Sequence, residues 1–158
     1  MSPFTAEYVD GKFIERRGGD YIHGRLQGLL AATLGVRERE REFHGFLSPT
    51  VCLREDCYRI PDICVKALPY EKTPILTCPD LAIEIVSPDD EVGEMLTKIG
   101  DYLAAGIPYI WVVDPYKRTL VEADQAGIRK VNSQKLSTPL VGEVDFAALF
   151  EQLDEPPQ

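Results

Sequence analysis

The sequence predicts an α/β fold in which a central sheet is covered on both faces. Segment 81–86, Leu-Ala-Ile-Glu-Ile-Val, is apolar at both alternating positions except for Glu84, as is typical of a central strand. An amphipathic helix is predicted from about Glu91 to Ala105, and Gly106 supplies the left-handed residue that ends it. The next strand is 110–113. Strand, helix and strand together have the length of a crossover unit, so the two strands should be parallel neighbours.

Two local signals organise the N-terminal part of the chain. Asp10-Gly11 lies between two short extended runs, which is the strongest short-range signal of a hairpin. Asp20 is expected to cap the following helix, because its carboxylate can accept from amides two or three residues later. His23 lies beside the buried stripe, and the helix should end near Gly35 or after the alternating charges that follow. The predicted stripe contains Ile22, Leu26, Leu29, Leu30 and Thr33.

Several further elements complete the prediction. Pro61 cannot donate to a strand ladder, so it marks the start of a strand that Asp62 enters directly. The other predicted elements are a strand over 119–123, an edge strand over 127–131 and a helix over 146–150 that Asp145 caps.

Length and composition are those of a globular domain. The 158 residues predict one domain over 1–150, followed by a frayed tail over 151–158. No segment resembles a signal peptide or a membrane span, so a cytoplasmic protein without membrane contact is expected. The four cysteines have spacings that match no zinc motif, and we expect reduced, structural thiols.

The charge is distributed unevenly along the chain. Residues 1–60 contain nine basic and nine acidic residues, so the whole net charge of −9 falls after Ile60. Proteins that bind nucleic acids nonspecifically are usually basic. A DNA-binding role therefore needs a local basic patch from the first third, such as Arg16, Arg17 and Arg25, or a partner chain.

Asp62, Glu84 and Lys98 are the candidate active-site residues. Both carboxylates lie in strand segments, where burial is costly unless a metal, a proton or a cation compensates the charge. If the two strands pair, the carboxylates converge and offer hard oxygen ligands to Mg²⁺, with the Ile85 carbonyl as a further ligand. Lys98 on the helix would orient or deprotonate a water, or neutralise the transition state. The structural alternative is an ion pair of Lys98 with one of these acids, or with Glu94 on the helix surface.

A family resemblance favours the functional interpretation. The chain resembles the Uma-type family of restriction endonucleases, within the PD-(D/E)XK nuclease superfamily, over roughly residues 7–150. The segments that carry the resemblance are Pro61-Asp62, Glu84-Ile85-Val86-Ser87-Pro88, Lys98 with Tyr102 shortly before Ala105-Gly106, and Tyr109-Ile110-Trp111-Val112-Val113-Asp114-Pro115.

The resemblance implies a mixed central sheet flanked by helices, with a restriction-endonuclease-like core that cleaves DNA using Mg²⁺, or Mn²⁺ as a substitute. Asp62 matches the motif aspartate and Glu84 the motif acid. Val86 occupies the position where many superfamily members have lysine, and Lys98 matches a lysine on the following helix instead. His23 matches the histidine that the family has on its first helix. Glu15 lies on or near the position of an N-terminal acid of the family. Glu94 replaces a family aspartate one turn before the lysine.

Three functions are compatible with these observations. The first is a homodimeric, Mg²⁺-dependent endonuclease acting on double-stranded DNA, since cutting both strands requires two sites. The second is a catalytically silent regulatory module that binds nucleic acid or protein on the same fold, which the acidic C-terminal part favours. The third is a metal-dependent hydrolase of small phosphate esters.

Overall fold

The computed structural model describes residues 5–16 and 18–157, which contain four helices and thirteen strands. The strands are β1 Ala6–Val9, β2 Lys12–Glu15, β3 Phe43–Leu47, β4 Val51–Arg54, β5 Cys57–Arg59, β6 Ile63–Ala67, β7 Leu76–Thr77, β8 Leu81–Ile85, β9 Tyr109–Asp114, β10 Thr119–Asp124, β11 Gly127–Val131, β12 Lys135–Thr138 and β13 Gly142–Asp145. The helices are α1 Tyr21–Gly35, α2 Glu38–Arg41, α3 Val92–Ala104 and α4 Phe146–Leu153.

A six-stranded mixed sheet forms the centre of the protein. Its strand order is β11-β10-β9-β8-β6-β3, and β8 and β9 are its parallel pair, with Ile83 opposite Trp111. The other neighbours are antiparallel. The predicted parallel crossover through α3 is therefore confirmed, and so is β11 as an edge strand. The predicted mixed α/β architecture is confirmed as well.

Helices cover both faces of this sheet. Leucines of α1 and aromatic residues of α4 pack on one face, around Trp111 and the inward side chains of β6 and β8. Helix α3 packs on the other face through Ile99 and Tyr102. Val51 and Leu76 join this second core from a five-stranded sheet ordered β2-β1-β5-β4-β7. The sequence patterns predicted strands but not which sheet each strand joins, because sheet membership depends on pairing between segments that are distant in the chain.

The N-terminal hairpin and the cap of α1 form as predicted. Asp10 and Gly11 have φ values of 51° and 82°, the left-handed pair that a tight hairpin turn requires. The Asp20 carboxylate accepts a hydrogen bond from the His23 amide at 3.0 Å, and α1 ends at Gly35. A separate short helix, α2, follows in the alternating charges.

The buried face of α1 differs from the predicted stripe. Ile22, Leu29 and Thr33 are only half-buried. The fully buried positions are His23, Leu26, Leu30 and Leu34. The face is rotated because α1 is packed against α4, β3 and β8. As a consequence His23 lies on the buried face and not beside it.

The C-terminal helix is longer than predicted. Asp145 caps α4 by accepting from the Ala148 amide at 3.3 Å, as expected. The helix continues past Phe150 to Leu153, which packs against the core around Trp111.

All four cysteines are free thiols. Within the described ranges, no helix is long and apolar enough to cross a membrane.

Candidate active site

The pairing of β6 with β8 brings Asp62 and Glu84 together at one end of the two strands. β6 and β8 are antiparallel, with Ile63 opposite Ile83 and Cys64 opposite Ala82. Asp62 directly precedes β6 and Glu84 directly follows Ile83 in β8, and both side chains line the same cavity. Both residues are only 4% exposed. The convergence expected from the sequence is therefore present.

Asp62 is held by partners from three elements. Its Oδ2 accepts a hydrogen bond from the Ile85 amide at 2.7 Å. Its Oδ1 lies 3.1 Å from His23 Nε2 and 3.7 Å from Arg16 Nη2. The hydrogen bond with Asp62 raises the pKa of His23, although burial opposes this. His23, which the family resemblance matched, thus holds the aspartate directly.

The backbone of Asp62 is fixed as well. Its carbonyl accepts from the Gln27 side chain and from the Ser48 amide, each at 2.9 Å. The sequence analysis did not select Gln27. A signal was available, because Gln27 lies one helical turn after His23 and therefore on the same side of α1.

Glu84 is buried beneath α3. The Tyr102 hydroxyl donates to Glu84 Oε1, and Lys98 Nζ lies 4.0 Å from Glu84 Oε2. Burial raises the pKa of Glu84 from 4.5 to about 8, and the Lys98 ammonium opposes this rise. Burial lowers the pKa of Lys98, but the carboxylates led by Glu84 outweigh it and raise that pKa above 10.5. Lys98 therefore faces Glu84, and not Glu94.

A buried ion network supports the site from the N-terminal hairpin. Arg59 Nη1 lies 2.9 Å from Glu7 Oε2, and Arg59 also pairs with Asp101 at 2.8 Å. Glu7 Oε1 accepts from the Ile60 amide at 3.0 Å. The hairpin is thereby tied to the segment that leads into Asp62. The sequence analysis missed this network, because the partners are distant in the chain.

The site opens into a cavity of about 660 Å³. All five candidate residues line it, namely His23, Asp62, Glu84, Ile85 and Lys98. Glu15, Asp90 and Glu94 add negative charge to its walls, whereas Arg16 and Arg59 add positive charge. Arg25 is exposed on α1, and Arg17 lies outside the described residues.

The donor set fits a hard divalent cation. Among the described residues, no group of three or more His, Cys, Asp or Glu side chains has the arrangement of a metal site. Mg²⁺ does not need one, since it is commonly bound through one or two carboxylates together with waters and phosphate oxygens. Asp62 and Glu84 supply two carboxylates to one cavity, and burial raises the pKa of Glu84 more than the Lys98 ammonium lowers it.

The fold is shared with a solved structure. A crystal structure described as a putative nuclease belonging to DUF820 from Anabaena variabilis ATCC 29413 matches with a TM-score of 0.82. The two are 23% identical, and the match covers 96% of this chain and 93% of that one. A structure of the DrdV–DNA complex matches with a TM-score of 0.42 and 19% identity, over 83% of this chain and 11% of that one. No curated protein matches the chain.

The family resemblance carried by the sequence motifs is also confirmed. A family model described as "Uma2: Putative restriction endonuclease" matches residues 2–144. The match includes the hairpin, α1, the central sheet and every candidate site residue. Because it spans most of the sequence, the chain belongs to the Uma2 family.

Proposed function

We propose that the protein is a Mg²⁺-dependent DNA endonuclease, with Mn²⁺ as a substitute metal. The observation that carries the proposal is the convergence of Asp62 and Glu84 in one cavity, with Lys98 Nζ 4.0 Å from Glu84. Membership of a family described as restriction endonucleases supports hydrolysis of nucleic acid. The carboxylates and the lysine supply the residue types for phosphodiester cleavage.

Asp62, Glu84 and the Ile85 carbonyl are the proposed metal ligands. When bound, the metal would polarise a phosphate oxygen and acidify a water. Lys98 is proposed to neutralise negative charge in the transition state, and the carboxylates led by Glu84 raise its pKa, which favours its protonated form. His23 holds Asp62 in position through the 3.1 Å contact.

The DNA-binding surface is proposed to include Arg16, Arg17 and Arg25, because the acidic part of the chain begins after Ile60. Replacing the three arginines with alanine is expected to weaken DNA binding and to reduce the slope of log K against log salt by about 2 to 3. The measurement is fluorescence anisotropy with a labelled duplex at several salt concentrations, without divalent metal. Affinity that survives the triple substitution would show that the binding surface lies elsewhere. The control substitutes Lys117, Lys130 and Lys135.

A homodimer is proposed as the active form. The described part of each chain contains one candidate site, and cleavage of both strands of a duplex requires two. A second chain would also add DNA-binding surface, of which one small acidic chain offers little. Sedimentation of the protein with and without duplex DNA measures whether the chain is a monomer or a dimer.

The function is tested by metal binding and cleavage together. Wild type is expected to bind Mn²⁺ in calorimetry and to cleave plasmid DNA in a reaction that a chelator stops. Asp62→Asn is expected to lose both properties, because it removes a charged ligand. DNA binding without metal-dependent cleavage would favour the regulatory module. Hydrolysis of p-nitrophenyl phosphate without DNA cleavage would favour a small phosphate ester as substrate.

A further inference from the structure

Helix α3 contacts Glu84 through two side chains that lie one turn apart. Lys98 and Tyr102 are four residues apart, so they extend from the same side of the helix. Lys98 approaches Oε2 of Glu84 at 4.0 Å and is 25% exposed at its side chain. Tyr102 is fully buried and donates its hydroxyl hydrogen to Oε1. The two carboxylate oxygens of Glu84 therefore have different partners.

Asp62 is arranged in the same way. Its Oδ2 accepts from the buried Ile85 amide, whereas Oδ1 faces the side chains of His23 and Arg16. Each acid thus has one oxygen engaged by a buried neutral donor. The other oxygen faces cationic or titratable side chains of the cavity. A carboxylate held at one oxygen keeps a defined orientation, which a metal ligand needs.

The position of Tyr102 is itself well determined. Its ring belongs to the core between α3 and the central sheet, together with Ile99 and Ile110. The helix ends shortly after it, where Gly106 has a φ of +85°, and the Ile107 amide donates to the Tyr102 carbonyl at 3.1 Å. The packed ring and the end of the helix therefore hold the hydroxyl near Glu84.

We propose that Tyr102 is a positioning residue, whose hydroxyl holds Glu84 so that Oε2 is presented to the divalent cation. This inference rests on the proposed function, since it assumes that Glu84 is a ligand. Tyr102 does not contact the metal in this scheme. It differs from a purely structural tyrosine, because removal of its hydroxyl alters metal affinity and not only stability.

The test is a calorimetric Mn²⁺ titration of wild type, Tyr102→Phe and the control Tyr70→Phe. Tyr70 also loses a hydroxyl contact, with His44 at 2.7 Å, but it does not line the cavity. The Mn²⁺ Kd of Tyr102→Phe is expected to rise about 10- to 100-fold, as for other residues that support metal ligands. The control should bind as wild type does. Melting in chelator verifies that both variants are folded.

The titration temperature keeps the result interpretable if Tyr102→Phe is destabilised. The titration is run well below the melting temperature of Tyr102→Phe in chelator, where the folded variant lacks the hydroxyl contact to Glu84 and should still show the raised Mn²⁺ Kd. A Tyr102→Phe variant that binds Mn²⁺ as tightly as wild type would overturn this inference alone. A wild type that binds no Mn²⁺ would overturn the proposed function, and this inference with it.

Discussion

Lys98→Met is expected to lower the rate of DNA cleavage about 100- to 1,000-fold while Mn²⁺ still binds. The ammonium lies 4.0 Å from Glu84 Oε2 and lines the cavity, where it is placed to neutralise charge on a reacting phosphate. It provides no oxygen ligand, but it opposes the rise in the pKa of Glu84, so Mn²⁺ binding by the variant is expected to weaken without being lost. Methionine keeps much of the aliphatic volume, which limits the effect on packing.

The measurement combines plasmid cleavage with Mn²⁺ calorimetry, and wild type and variant are compared at the same pH. Lys130→Met, on the exposed edge strand β11, is the matched control and should cleave at the wild-type rate. The prediction fails if Lys98→Met cleaves DNA normally. It also fails if the variant loses Mn²⁺ binding and cleavage together, because Lys98 would then act through the metal site.

Glu84→Gln is expected to make the metal-free protein at least as stable as wild type near neutral pH. The folded state raises the pKa of Glu84 from 4.5 to about 8, chiefly because the carboxylate is buried. Between these two values the folded chain retains a proton that the unfolded chain has lost, so the free energy of unfolding falls as pH rises through this window. Each pH unit of such a shift corresponds to about 1.4 kcal/mol. Glutamine does not titrate, so the free energy of unfolding of Glu84→Gln should not fall in this way as pH rises.

A structural ion pair between Glu84 and Lys98 predicts the opposite sign. Breaking a buried pair would strand one charge and cost about 3–5 kcal/mol. Thermal melts of wild type and Glu84→Gln in chelator, across the pH window, distinguish the two. In Mg²⁺ at about 100 times its Kd, wild type alone should melt about 5–10 °C higher. A variant that melts well below wild type in chelator, with no Mg²⁺ effect on either protein, would support the structural pair.

Local sequence signals determined much of the fold and the centre of the site. The Asp10-Gly11 turn, the Asp20 cap and the end of α3 at Gly106 each depend on backbone preferences of a few adjacent residues. The parallel β8–β9 pair follows from the short crossover between the strands. Glu84 and Asp62 were identifiable because a charge within an apolar strand needs compensation.

The tertiary structure alone decided which distant groups complete the site. In the sequence, Tyr102 is one more position of the apolar face of α3. Its hydroxyl contacts Glu84 only because α3 packs over that residue. Glu7 and Arg59 are fifty-two positions apart and meet only because β1 pairs with β5. The rotation of α1 that buries His23 is likewise set by α4, β3 and β8. Periodicity along a chain specifies local conformation, whereas long-range pairing specifies which side chains come into contact.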